Sequence, residues 1–317
     1  MTLLVLGATG ALGRQIVLQA LKRGYPVKCG VRELKKSAWL RRAGAELVYL
    51  DLRFPDTLPQ VLKNVTVIFD ASTLPADEEL GTLRQIDLVS KIALIKAAKK
   101  ANIQRFIFFS IANKPLNFNR IPLLNFKNSV ETCLQNSGLP YTIFQLPSFF
   151  QGLIGQYAIP ILDQETVWVT QDDTAISYLD TIDIAEMCVK TLTQEDEVNK
   201  TLVLKSSGDW SPSQIIGLCE TYSGQIANIN TLSPFLLEFS RIFASFFMWS
   251  WGIQDRLTFS NINNSEKNKT SSQHILYINK ESQLDLYLQE YYSTMLKKLS
   301  DLKYDQSKVK QRKDLTF

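Results

Sequence analysis

Three glycines recur at intervals of three in Gly7-Ala8-Thr9-Gly10-Ala11-Leu12-Gly13, directly after the apolar run 3–6 and directly before apolar residues at helical spacing. A strand that turns sharply into a helix uses this pattern: Gly7 permits the tight turn, Gly10 lets the backbone approach a ligand, and Gly13 lets the helix pack on the strand. The free N–H groups and dipole of the helix N-terminus then favour an anion such as a pyrophosphate. Gly7, Thr9, Gly10, Ala11, Leu12 and Gly13 are therefore candidates to hold a dinucleotide. Arg32, in Gly30-Val31-Arg32-Glu33, ends the second apolar run where the adenosine ribose would lie. A guanidinium there pairs with the 2′-phosphate of NADP(H). A shift of one residue would present Glu33 instead, so NADP(H) is the expected ligand and NAD(H) stays open. Asp51 and Leu52, after the third run, and Ala71, after the fourth, are placed to flank the adenine.

The elements that would position these residues are legible. Apolar runs at 3–6, 27–31, 46–50, 65–70, 105–110 and 141–146 alternate with helical patterns at 12–23 and 83–101. Strands joined by helical crossovers make a parallel sheet covered on both faces, so the fold class is α/β, a doubly wound Rossmann sheet with a small C-terminal lobe. Residues 1–150 form the dinucleotide-binding core and 151–303 a lobe interleaved with it. That lobe holds a strand at 166–169, a helix at 182–192, a strand at 201–205 and a helix capped by Ser211 with Pro212 at its first position. A polar loop is expected at 259–273, and an amphipathic helix at 282–302, where Leu288, Tyr292, Met295, Leu299 and Leu302 recur at three and four. Residues 304–317 read as an irregular basic tail.

Composition narrows the function classes. A net charge of +4 over 317 residues, with 21% charged, gives no concentrated basic face, so nucleic acid is not an expected partner. Cys29, Cys133, Cys188 and Cys219 lie far apart and read as small buried hydrophobes. With His274 the sole histidine, neither a His-based metal site nor a Ser-His-Asp triad is expected, and no metal is assigned. The apolar run 242–253 falls short of the roughly 20 residues that span a bilayer. A strand beginning next to Met1 leads to the expectation of no targeting leader.

The glycine spacing and element order resemble the atypical short-chain dehydrogenase and NmrA-like family over residues 1 to about 225. In that family a serine ends strand five and Tyr-x-x-x-Lys follows on the next helix. The resemblance puts Ser110 and Lys127 at those catalytic positions and Leu123 where the tyrosine belongs. The usual proton donor to a developing alkoxide is thus missing. Ser110 and Lys127 could still handle protons, as isoflavone-reductase-like members use a lysine without the tyrosine; alternatively Lys127 binds ribose or lies on a surface helix, paired with Glu131 one turn on. Pro147-Ser148-Phe149-Phe150 resembles the family's segment beside the nicotinamide, which adds Pro147 to the cofactor set; a strand terminator followed by core aromatics fits it equally. Asp180 and Asp183, before Ile184-Ala185, are read as structural helix starts.

Residues 232–257 carry Phe235, Phe239, Phe243, Phe246, Phe247, Trp249 and Trp251. That much aromatic surface suits a membrane interface or a hydrophobic partner, or else a lobe core. With this segment and Pro122-Leu-Leu-Asn-Phe-Lys127, the chain is similar almost throughout to the plastid and cyanobacterial photosystem II assembly factors of the same family. The resemblance implies a protein on the stromal side of the thylakoid membrane, or the cytoplasmic side in a cyanobacterium, contacting the membrane peripherally through 232–257. It implies as partners photosystem II assembly intermediates, high-light-inducible proteins and chlorophyll synthase, in the service of D1 assembly and chlorophyll delivery. The alternative is an NADPH-dependent reductase of a quinone, isoprenoid or tetrapyrrole that uses Lys127.

Overall fold

The computed structural model describes residues 1–74, 80–112, 114, 121–170, 173–232, 274–278 and 283–314, with the side chains of 80–81, 232 and 299–314 outside the description. Eight strands form one parallel sheet: β1 (Leu3–Leu6), β2 (Val27–Val31), β3 (Glu46–Tyr49), β4 (Val67–Asp70), β5 (Arg105–Ile111), β6 (Tyr141–Leu146), β10 (Lys200–Ser206) and β13 (His274–Ile278). Their order is β13-β10-β6-β5-β4-β1-β2-β3, with the reversal between β1 and β4 where a doubly wound sheet binds its ligand. The six strands expected in the first half all form. The last two come from the C-terminal half, so that half completes the sheet as well as building a lobe.

Alternation along each strand sends side chains to two cores. Leu3, Val5 and Phe69 meet α1 (Ala11–Lys22) and α9 (Thr181–Lys190) through Ile16, Val17, Ile184 and Cys188. Leu4, Leu6, Ile68 and Phe108 meet α5 (Ser90–Lys100) and α6 (Pro122–Gln135) through Leu94, Ile95, Val130 and Leu134. The helix expected at 83–101 is interrupted: α4 (Leu80–Arg84) passes through a π-helical turn, Gln85–Val89, before α5.

A third core belongs to the lobe. Here α10 (Pro212–Ser223) starts at the expected Ser211 cap, with a full capping box to Gln214. Its Ile215 and Cys219 pack with Phe150, Tyr157 and Ile161, and with Leu284, Leu288 and Tyr292 of the last helix, α11 (Gln283–Asp314). The Tyr292 hydroxyl donates to the Ala158 carbonyl at 3.0 Å. This helix continues to Asp314, so the backbone of 304–314 is helical where the sequence pattern suggests an irregular tail. The basic residues there belong to a polar extension of an anchored helix, which elongates at little cost once nucleated. The aromatic segment 232–257, apart from the backbone of Leu232 at the end of β12 (Asn228–Leu232), and the loop 259–273 lie outside the described residues. Cys29, Cys188 and Cys219 are buried and free, with burial pushing the Cys29 thiol up to about 12 and that of Cys219 to about 11. Among the described residues no helix is long and apolar enough to cross a membrane.

Candidate functional site

The glycine turn is as tight as its spacing implies. Gly7 has φ +71°, and a Cβ there would stand 2.6 Å from the Ala71 carbonyl oxygen. A Cβ on Gly13 would stand 2.0 Å from the Gly7 carbonyl oxygen, which already accepts the Gly10 amide at 2.9 Å. Thr9, Gly10 and Ala11 are exposed at the rim while Leu12 and Gly13 are buried beneath it. Gly10 caps α1 with no side-chain hydrogen bond and no acidic residue in the first turn. The first turn of α1 therefore carries no acidic side chain that would repel an anion from its free amides, the arrangement that suits a diphosphate.

Parallel strands bring the other candidates to the same edge. Val31 pairs with Tyr49, placing Arg32 beside the start of the loop after β3. Arg32 is exposed, whereas Glu33 pairs with Lys36 at 2.8 Å and its carbonyl accepts from Ser37. Glu33 is thereby engaged within its own turn, while Arg32 is exposed at the end of β2. Asp51 is buried and gripped by Arg53 through Nε at 3.1 and 3.0 Å and Nη2 at 2.6 Å. Those hydrogen bonds, with the Arg53 and Arg32 charges adding to them, hold its carboxyl below the usual range against the effect of burial. Asp51 thus shapes a loop carrying cationic side chains, and Leu52 packs half-buried on the sheet core.

Ser110 and Lys127 come close in the fold, yet each is engaged elsewhere. Ser110 and Gln145 are register partners on β5 and β6, and both donate to the buried Glu131 carboxylate of α6. Lys114 reaches the same carboxylate at 2.5 Å. Glu131 is therefore bonded to Ser110, Lys114 and Gln145, and not to Lys127 as the four-residue spacing suggests. Lys127 donates to the Phe109 carbonyl at 3.0 Å and lies over the Phe108 ring, so it is a buried lysine and not a surface one. Burial lowers its ammonium from the usual lysine value, opposed by the nearby Asp87 charge. Leu123 sits one helical turn before it on α6 and brings no hydroxyl.

Pro147 follows β6 at the same edge as Gly7 and Ala71, half-buried. Phe150 is core to the lobe, so for that residue the packing alternative holds. Asp180 caps α9, accepting the Ile182 amide at 2.8 Å as a structural helix start does, whereas Asp183 in the first turn accepts from the Gln283 side chain at 2.7 Å and ties α9 to the last helix. Spacing alone did not single out Asp70, Asp87 and Lys91, which are buried and bonded around the loop after β4. They stand at positions otherwise reserved for apolar residues. Asp70 ends the run Val-Ile-Phe-Asp, and Asp87 and Lys91 share a stripe with Leu94 and Ala98.

Comparison with known proteins places this geometry. The NmrA-like family model matches residues 1–247. The chain is 44% identical to the photosystem II assembly factor Ycf39 of Cyanophora paradoxa over 99% of both chains. It is 39% identical to the chloroplastic protein high chlorophyll fluorescence phenotype 244 of Arabidopsis thaliana, over 95% of this chain and 77% of that one. In fold it is similar to leucoanthocyanidin reductase of Vitis vinifera solved with NADPH, with a TM-score of 0.71 at 17% identity, covering 92% of this chain and all of that one. The glycine turn, the all-parallel sheet and end-to-end identity agree, and the chain belongs to the NmrA-like family and, within it, to the Ycf39 group.

Proposed function

We propose that this chain is a photosystem II assembly factor that binds NADP(H) in its glycine turn. The observation that carries the reading is 44% identity, maintained over nearly all of both chains, to a protein named for that role. The residues present fit the nucleotide. The positions of Gly7 and Gly13 leave no room for a Cβ, α1 opens without an acidic side chain, and Arg32 is exposed while Glu33 is paired. The diphosphate would rest on the turn 7–13, the 2′-phosphate against Arg32, and the adenine between Asp51-Leu52 and Ala71, with Lys127 and Pro147 toward the nicotinamide end. When bound, the nicotinamide supplies a redox centre, either for hydride chemistry or as a sensor of stromal reducing power. Leu123 in place of tyrosine favours the sensor or structural role, because no side chain there can protonate an alkoxide.

The setting is a plastid or a cyanobacterium, on the stromal or cytoplasmic face of the thylakoid, with 232–257 as the peripheral membrane contact. Partners of the kinds implied are reaction-centre intermediates containing D1, high-light-inducible proteins and chlorophyll synthase. The test is native electrophoresis of solubilised thylakoids carrying a tagged chain. Co-migration with early reaction-centre complexes is expected, and should be lost when Phe246, Phe247 and Trp249 are changed to serine. A chain that neither co-migrates nor responds to those changes overturns the assembly reading; one that co-migrates but is indifferent to them overturns only the role of 232–257. Buried Lys127 with its depressed ammonium supports the second reading, a reductase of a small hydrophobic substrate. In that case NADPH oxidation is measurable and Lys127→Ala abolishes it.

A further inference from the structure

The loop that leaves β4 is fastened from beneath by two charged side chains on one face of a helix. Asp87 and Lys91 stand four residues apart across the junction between the π-helical turn and α5, so both meet the loop 70–74. Asp87 accepts from the Thr73 hydroxyl at 2.9 Å and the Leu74 amide at 3.1 Å. Lys91 donates to Asp70 Oδ1 at 2.5 Å, to the Ser72 carbonyl at 2.7 Å and to the Ser72 hydroxyl at 2.5 Å. That hydroxyl in turn donates a hydrogen bond to Asp70 Oδ1 at 2.6 Å. On the opposite side the loop presses on the glycine turn: a Cβ on Gly7 would lie 2.6 Å from the Ala71 carbonyl oxygen and 2.8 Å from Ser72 Cα.

Stability does not account for this arrangement. The Lys91 and Asp70 side chains are 1% and 0% exposed. Two charges taken so far from water carry a desolvation cost that their attraction barely repays, and a well-packed apolar pair is as stabilising or more so. An apolar pair could not fix the Ser72 carbonyl and hydroxyl at hydrogen-bond distance. Interrupted helices of this kind recur where a side chain has to be aimed, and here the interruption holds Asp87.

We propose that Lys91 and Asp87 are positioning residues for the nucleotide site: they set the height of residues 70–74 against Gly7, and so the depth of the cradle that receives the diphosphate. The inference rests on the nucleotide-binding reading above. Because the diphosphate is common to NADPH and NADH, loosening the clamp weakens both alike, whereas losing Arg32 affects only the 2′-phosphate.

The test compares wild type with Asp70→Asn/Lys91→Met, which removes both charges together, and with Ser72→Ala, which keeps the ion pair and removes only the bridging hydroxyl. Urea unfolding, calorimetric titration with NADPH and NADH, and amide hydrogen exchange of residues 5–14 are measured on each. For the double variant the unfolding midpoint should stay close to wild type, while affinity for both nucleotides falls by a common factor of about ten or more and exchange in 5–14 quickens. Ser72→Ala should move both in the same direction by less. Variants that match wild type in both nucleotide affinities and in exchange overturn the clamp. Wild-type protein that binds neither nucleotide overturns the nucleotide reading instead, and the exchange of 5–14 then decides the clamp alone.

Discussion

Gly13→Ala and Gly10→Ala separate the two jobs of the glycine turn. At position 13 the new methyl group would sit 2.0 Å from the Gly7 carbonyl oxygen, where an ordinary contact starts at 3.4 Å, so strand or helix must retreat by roughly 1.4 Å. Overpacking of that size costs about 1–3 kcal/mol, and tearing the Gly10 amide from the Gly7 carbonyl adds about 1 kcal/mol. The expected loss of about 2–4 kcal/mol is a large part of the 5–15 kcal/mol that holds a typical domain together. At position 10 the same methyl group meets that oxygen at 3.3 Å and otherwise projects toward solvent, so a few tenths of an ångström relieve it and the stability cost stays below about 1 kcal/mol. Its effect should fall on the ligand, because the methyl group occupies the surface a diphosphate must approach. The assay is urea denaturation followed by fluorescence, with NADPH titration of each folded variant. A clear fall in midpoint at unchanged slope is expected for Gly13→Ala, and a near-normal midpoint with weakened NADPH binding for Gly10→Ala. Equal midpoints for the two variants would refute the division of labour.

Two further outcomes follow from charges. Arg32→Ala should lower NADPH affinity about 10- to 100-fold by removing charge-assisted hydrogen bonds worth about 1.5–3 kcal/mol, and leave NADH within about twofold. Calorimetry checks it, and parallel losses for both nucleotides would place the 2′-phosphate elsewhere. Lys127 is buried with its ammonium disfavoured, so the folded protein gives up that proton before the unfolded chain does, and stability rises with pH from the depressed folded value toward the ordinary lysine value near 10.4. Lys127→Met should therefore be at least as stable as wild type at pH 7, with an advantage that shrinks toward pH 10. An unfolding-midpoint difference that does not change with pH would mean the side chain is solvated in the folded state.

Much of this was legible from order and spacing. All six strands of the first half, the glycine turn and the Ser211 cap with Pro212 rest on local rules: short continuous apolar runs that a sheet covered on both faces buries, a turn that excludes a Cβ, and a hydroxyl that must meet a free amide. The charged residues in the sheet core were not legible. A lysine in an apolar helical stripe reads as an exposed edge until it is known that Asp70 at the end of β4 stands opposite. Glu131 shows the limit in a single residue. Four residues from Lys127, it suggests a pair along the helix, yet the neighbouring strands present Ser110 and Gln145 to it first.

The sequence by itself determined the fold class, the place of the nucleotide turn and the family, because each depends on residues within a few positions of one another or on identity along the whole chain. Only the tertiary structure decided that Arg32 is exposed while Glu33 pairs with Lys36, that Ser110 and Lys127 are separately engaged, and that the loop after β4 is bonded to Asp87 and Lys91 and packed against Gly7. Those facts belong to pairs of groups from separate strands and helices, or to the turn a residue sits in, and a buried charge declares its partner only when packing has brought the two together.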